Sequence, residues 1–199
     1  LLPGDFIYKD VNGDGIINGM DERPIGYPEG WAPIMSFGGN IGLAWKGIDL
    51  NIDLSGGAMQ GWRQNYELAN AYHGNGNSPV YLLEDRWHRA DLYDPESEWI
   101  PGRYPAIRKG EFSYNNKNSD FWLHNVRYLR IKNLEVGYSL PAQLLRPIRA
   151  QKVRIYANVS NLCSFDNVGK FGVDPEITAA AAVVYPQQRT FLLGFNITY

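Results

Sequence analysis

The sequence predicts an all-β chain: about five C-terminal strands of a large transmembrane antiparallel β-barrel with long extracellular loops. Three observations carry that prediction. Polar and apolar residues alternate along segments of nine to eleven residues or more, the length that crosses a bilayer at a tilt. The connections between them are short and long by turns, as in outer-membrane barrels. In most of these segments one parity is apolar and aromatic-tipped while the other carries carboxylates, amides and glycines, which suits lipid on one side and water on the other.

The first two strands lie in 36–57. Phe37, Ile41, Leu43 and Trp45 share one parity, with Gly38, Asn40, Gly42 and Ala44 on the other. After Lys46-Gly47 the pattern resumes as Ile48, Leu50, Ile52 and Leu54 against Asp49, Asn51, Asp53 and Ser55, so the pair reads as a tight β-hairpin. The third strand lies in Phe121–Leu140. Its apolar parity is odd at Leu129 and Ile131 and even at Leu134, Val136, Tyr138 and Leu140. One inserted residue moves every later side chain to the other face, so a β-bulge is expected near Lys132-Asn133. The fourth, Lys152–Leu162, sets Val153, Ile155, Ala157 and Val159 opposite Arg154, Tyr156, Asn158 and Ser160. The last, Arg189–Tyr199, places Phe191, Leu193, Phe195, Ile197 and Tyr199 on one face.

Segment 1–35 precedes the hairpin, 58–120 and 164–188 are the long connections, and 141–151 is a short one. Five strands cannot close a barrel, and an open edge is not tolerated in lipid, so the rest of a barrel is required. The alternative is a secreted β-sandwich, a calcium-binding carbohydrate-binding or adhesion module whose apolar faces meet each other.

Composition excludes other classes. A net charge of −2 supplies no basic footprint for nucleic acid. The single Cys163 excludes an internal disulfide framework. The longest apolar run, Ala179–Tyr185, is far short of the ~20 residues of a spanning helix. No signal-peptide pattern follows Leu1, so the chain reads as processed or as a piece of something longer.

Residues 10–21, DVNGDGIINGMD, have calcium-loop spacing. Oxygens at positions 1, 3, 5, 7, 9 and 12 would come from Asp10, Asn12, Asp14, the Ile16 carbonyl, Asn18 and Asp21, with Gly15 at the sharp turn. Asp in the twelfth place resembles a dockerin loop. A structural Ca2+ that stiffens the loop is the expectation; the alternative is an Asx-and-glycine turn held by its own hydrogen bonds.

No catalytic motif is present. His73, His88 and His124 lack metal-ligand spacing, and Glu84, Asp85, Asp91, Asp94, Glu96 and Glu98 read as a solvated segment with helical character over PVYLLEDRWHRA. The chain is expected not to be an enzyme. The 58–120 connection is rich in aromatics. Most are expected to form its own small core, with Trp62, Trp87 and Trp99 the first candidates for substrate or partner contact. Asp49, Asn51, Asp53, Arg154 and Asn158 are expected to face the lumen.

The stretches LLPGDFIYKDVNGDGIINGMDERPIG, WKGIDLNIDLSGG, NSDFWLHNVRYLRIKNLEVGYSLP, VRIYANVSNLCSF and YPQQRTFLLGFNITY resemble the C-terminal part of SusC/RagA-type TonB-dependent outer-membrane transporters of Bacteroidetes. The resemblance runs essentially end to end. His124, where Arg is common, and Cys163 depart from the pattern. The resemblance implies import of glycans or peptides through an outer-membrane barrel, capped by a SusD-like lipoprotein. TonB would act on a plug that, with most of the barrel, lies outside this chain. It also implies a last strand ending on the periplasmic side. Counting back, 141–151 and Lys46-Gly47 are then periplasmic, while 1–35, 58–120 and 164–188 are extracellular.

Overall fold

The computed structural model describes residues 1–30, 32–108, 114–176 and 185–199. Most of the apolar run from Ala179 therefore lies outside the described residues. No described helix is long and apolar enough to cross a membrane, which says nothing of strands.

The described residues form seven strands: β1 (Met35–Trp45), β2 (Ile48–Arg63), β3 (His88–Arg89), β4 (Trp99–Ile100), β5 (Leu123–Ser139), β6 (Lys152–Asp166) and β7 (Thr190–Thr198). All but β3 and β4 form one antiparallel sheet in the order β1-β2-β5-β6-β7, open at both edges; β3 and β4 pair separately. The β1–β2 turn has Lys46 and Gly47 both at positive φ, the type I′ geometry whose twist suits a two-residue hairpin.

The register shows that the alternation is real in three dimensions. Trp45, Ile48, Tyr138, Ile155 and Phe195 line up across the five strands, as do Leu43, Leu50, Val136, Ala157 and Leu193. Directly opposed residues share a face, so the sheet has one continuous apolar side. Among the described residues no second sheet covers it, which is the arrangement a sandwich would need. Leu43, Ile155 and Phe195 are exposed and Leu50 is half-buried.

The expected bulge is present. Lys132 is the extra residue on β5 where the β2 pairing shifts between Asp53 and Leu54. Two further irregularities carry no signal in the parity pattern. Asn161, at φ 53, is one of the two β6 residues opposing Lys132 alone. Met59, at φ 63, is one of the two β2 residues opposing Arg127 of β5 alone.

The Met59 irregularity corrects the boundaries above. β2 continues to Arg63 instead of ending near residue 57, and its shifted parity brings Gln60 opposite Val126 and Trp62 opposite His124. β6 likewise runs on to Asp166. The segment read as helical is a five-residue helix α1 (Val80–Glu84) followed by β3. The hydrophobic core sits at this far end of the sheet. Trp62 and Val126 pack with Val168, Phe171 and Val173 from the connection after β6, while Leu82, Tyr104 and Trp122 form an adjoining cluster joined through Tyr81. The N-terminal segment closes on it: Phe6 lies 4.6 Å from the Phe121 ring and 5.9 Å from Trp122.

Candidate functional site

The candidate site is the polar face of the sheet and the loops folded over one end of it. Near the β1–β2 turn, Asp49 and Tyr156 flank Gly137; one step up, Asn51, Glu135 and Asn158 align; above them come Asp53, Asn133 and Ser160. Arg154 bridges two of these rows. Its Nε donates to Asp49 Oδ1 at 3.0 Å and its guanidinium reaches Glu135 at 2.7 Å, while Asn158 donates to Glu135 at 3.3 Å. To reach Asp49 from β6 the guanidinium crosses the backbone of Gly137, where a Cβ would overlap it. Asp53 accepts from Asn40 at 2.7 Å. Four of the five expected lumen residues thus join polar pairs, and the fifth, Asn51, shares their face. Glu135, which links Arg154 to Asn158, was not singled out from sequence, although its parity opposite Leu134 and Val136 placed it there.

A second polar node lies higher. Arg130, 4% exposed, holds Asp174 at 2.6 Å and Glu176 at 2.8 Å. Lys132 and Ser55 also donate to Glu176, at 2.5 and 3.1 Å. These contacts fold the connection after β6 back onto the polar face. Sequence reading missed this node, because pairs more than forty residues apart leave no local pattern.

Of the three contact candidates, Trp62 is a correction. It is a strand residue, 2% exposed, its ring stacked 5.3 Å from His124 and 5.7 Å from Phe171, so it packs the core and offers no surface. Trp87 is half-buried against Gly4, and Trp99 is half-buried under the Arg89 guanidinium at 4.6 Å. Among the described residues of this connection the exposed aromatics are Tyr93, Tyr72 and Tyr66, of which Tyr93 is 97% exposed.

The 10–21 loop is closed by its own carboxylates. Asp10 accepts from the amides of Gly13 (2.6 Å) and Gly15 (2.8 Å), and Asp14 from that of Ile16 (2.8 Å). Asp21 accepts from Val11 (2.9 Å) and Asn18 (2.8 Å), completing a capping box with Asn18 on a short 3-10 turn. The Asn18 amide first, then that of Val11, hold the Asp21 carboxyl below its ordinary range. The donor set is all oxygen, as a hard cation prefers. Among the described residues, however, no three acidic, His or Cys side chains gather where they would hold a metal. Each oxygen keeps a lone pair, so a cation would require the carboxylates to turn toward a common centre.

The three histidines have local roles. His124 contacts Gln64 at 3.0 Å, His88 the Arg86 carbonyl at 2.9 Å, and His73 lies 3.5 Å from Glu67. In the acidic segment, Asp91 and Asp94 cap tight turns by accepting from Tyr93 and Glu96, both at 2.9 Å.

No family model matches the chain. Curated relatives do. The TonB-dependent receptor P3 of Formosa agariphila is 27% identical over 99% of this chain, and the TonB-dependent receptor SusC of Bacteroides thetaiotaomicron 33% identical over 47% of it. Among solved structures, the RagAB peptide importer in its open-open state aligns over 86% of the chain with a TM-score of 0.57 and 22% identity. The chain is SusC/RagA-like. It is a part only, spanning 19% of the length of P3, 9% of SusC and 18% of the aligned importer chain. The importer likeness fixes the fold of this SusC/RagA-like sheet as a piece of a barrel that does not close by itself.

Proposed function

We propose that this chain is part of a TonB-dependent outer-membrane transporter that imports large nutrients, glycans or peptides, together with a SusD-like surface lipoprotein. The observation that carries the reading is the two-sided sheet: one continuous apolar face left bare, and one polar face carrying ion pairs. The apolar rows run from Phe37 to Trp45, roughly 27 Å along the strand at about 3.4 Å per residue. Tilted by about 40° this becomes roughly 21 Å, close to the apolar band of about 25 Å that such barrels present to lipid. The polar face is then the lumen wall, and the loop-covered end is the extracellular one. The plug and the TonB contact belong to the remainder of the receptor.

Sidedness is tested in the full-length receptor in outer-membrane vesicles, in a Cys163→Ser background. A membrane-impermeant maleimide is expected to label Ser160→Cys and to label Leu193→Cys only after detergent; the reverse pattern removes the reading. Transport is tested by deleting the receptor. Growth on a polymeric nutrient should fail while growth on its monomer persists, and loss of TonB should reproduce the defect.

The reading includes a structural Ca2+ held by Asp10, Asn12, Asp14, the Ile16 carbonyl, Asn18 and Asp21. It rests on their spacing, on the all-oxygen donor set and on Gly13 and Gly15 at positive φ. Calorimetric titration should show binding that Asp10→Asn with Asp14→Asn removes. No heat of binding would leave an Asx-turn loop alone.

A further inference from the structure

The upper polar node has the construction of an anion receptor with its own carboxylate seated in it. Three donors from two adjacent strands converge on Glu176: Arg130 and Lys132 of β5 and Ser55 of β2. Arg130 is buried and uses the other side of its fork for Asp174. The register partner of Arg130 is Ser164 on β6, whose buried hydroxyl has no hydrogen-bond partner among the described residues. Two cations and a hydroxyl thus share this part of the polar face, apart from the lower Arg154 cation, which Asp49 and Glu135 of the sheet itself neutralise. The groups that neutralise them come from a connection, not from the sheet itself.

A guanidinium that binds a carboxylate does so through charge-assisted, geometrically forked hydrogen bonds, and once buried it needs an anion at all times. The strap bearing Asp174 and Glu176 makes its core contacts upstream, through Val168, Phe171 and Val173, so its apolar anchors and its two carboxylates are separate residues. Lifting it uncovers a cationic site that another carboxylate satisfies.

We propose that Arg130, Lys132 and Ser55 form a carboxylate-binding site on the polar face, in which Glu176 is an internal ligand that a carboxylate-bearing solute displaces. The site's part in transport rests on the polar face being the lumen wall; its ability to bind an anion does not, so the two readings fail separately. The solute's carboxylate comes from an acidic sugar or from an acidic peptide.

The test uses the full-length receptor in detergent, with glutarate as probe and calorimetry as readout. Asp174→Asn with Glu176→Gln empties the site of competing charge and is expected to bind glutarate at least ten-fold more tightly than the wild type. Adding Arg130→Gln should abolish that gain. The milder Lys132→Gln, at a half-exposed side chain, should reduce it several-fold while leaving the buried guanidinium in place. A doubly neutralised receptor that keeps its heat-resistant barrel mobility on gels yet binds glutarate no better than the wild type overturns the proposal. So does a gain that survives Arg130→Gln. A digalacturonate arm and a diglutamate arm then identify the solute: binding of either supports the site, and binding of neither overturns its role as a solute site. The cysteine-labelling pattern of Ser160→Cys reports on the lumen assignment independently.

Discussion

The two ends of the sheet solve the burial problem in different solvents. Toward the β1–β2 turn, Leu193, Phe195 and Leu43 are 84%, 70% and 61% exposed, and none of the described residues covers them. Toward the loop-covered end, Trp62, Trp122, Val126 and Val168 are 2% exposed or less, packed by segments well separated in sequence. The same strands β2 and β5 serve both regions, and the irregularity at Met59 separates them by moving Trp62 onto the covered side. One region is a conventional dry core that stabilises itself. The other has an apolar face left uncovered by the described residues, which in the proposed reading hydrocarbon covers.

That contrast breaks first at Trp122. Its Nε1 donates to the Asn115 carbonyl at 2.7 Å while its ring packs on Tyr104 and Phe121. Trp122→Ala should cost about 3–5 kcal/mol, from the cavity and the stranded carbonyl together. Hydrogen exchange should show the loss confined to residues 64–122 and 167–176, with amides of β6 and β7 protected as before. Spread of the effect into β7 would mean that the two regions are one cooperative body.

The next largest effect separates adjacent residues. Leu193→Arg on the apolar face should cost about 2–4 kcal/mol of folding stability in lipid vesicles, while Leu192→Arg on the polar face should cost close to nothing. Equal costs would erase the sidedness on which the transporter reading stands. Smaller again is Gly137→Val, which thrusts a branched side chain into the path of Arg154 toward Asp49. Overpacking of this kind costs about 1–3 kcal/mol, and Gly137→Ala should cost less.

Much of this was legible before any coordinates. The five strands of the main sheet, the hairpin turn, the bulge at Lys132 and the shared apolar face all follow from period-two alternation, which reports directly on which side each residue occupies, whereas the two-residue strands β3 and β4 are too short to show it. Alternation fails where the backbone slips. At Met59 the glycines around it read as the end of a strand, while Asn161, of a type that tolerates positive φ, sits inside one, so parity alone ends β2 near 57 and leaves Trp62 in a loop. The polar wall was half readable: Asp49, Arg154 and Asn158 stand out by parity, but their connection through Glu135 depends on register. The Arg130–Glu176 node was not readable, since charge pairing across a long connection has no sequence period.

The smallest expected effect tests how firmly the N-terminal segment belongs to the covered end. Asp5 is tied to that end by Asn115, whose Nδ2 donates at 2.9 Å, and by the Arg108 guanidinium; the Leu2 amide adds a local bond at 2.6 Å. Burial pushes its carboxyl up, but the Asn115, Leu2 and Arg108 contacts outweigh burial and hold it below the ordinary value of 3.8. A lowered folded value means that Asp5 contributes stability above the ordinary carboxylate pKa and loses it as pH falls through the folded one. Protease cleavage within residues 1–8 should therefore stay slow at neutral pH and accelerate only on strong acidification. Asp5→Asn should remove most of that pH dependence at a cost of about 1 kcal/mol at pH 7. If the variant keeps the wild-type acid profile, the segment is held by Phe6 against Phe121 and Trp122, and the apolar core alone closes this end of the sheet.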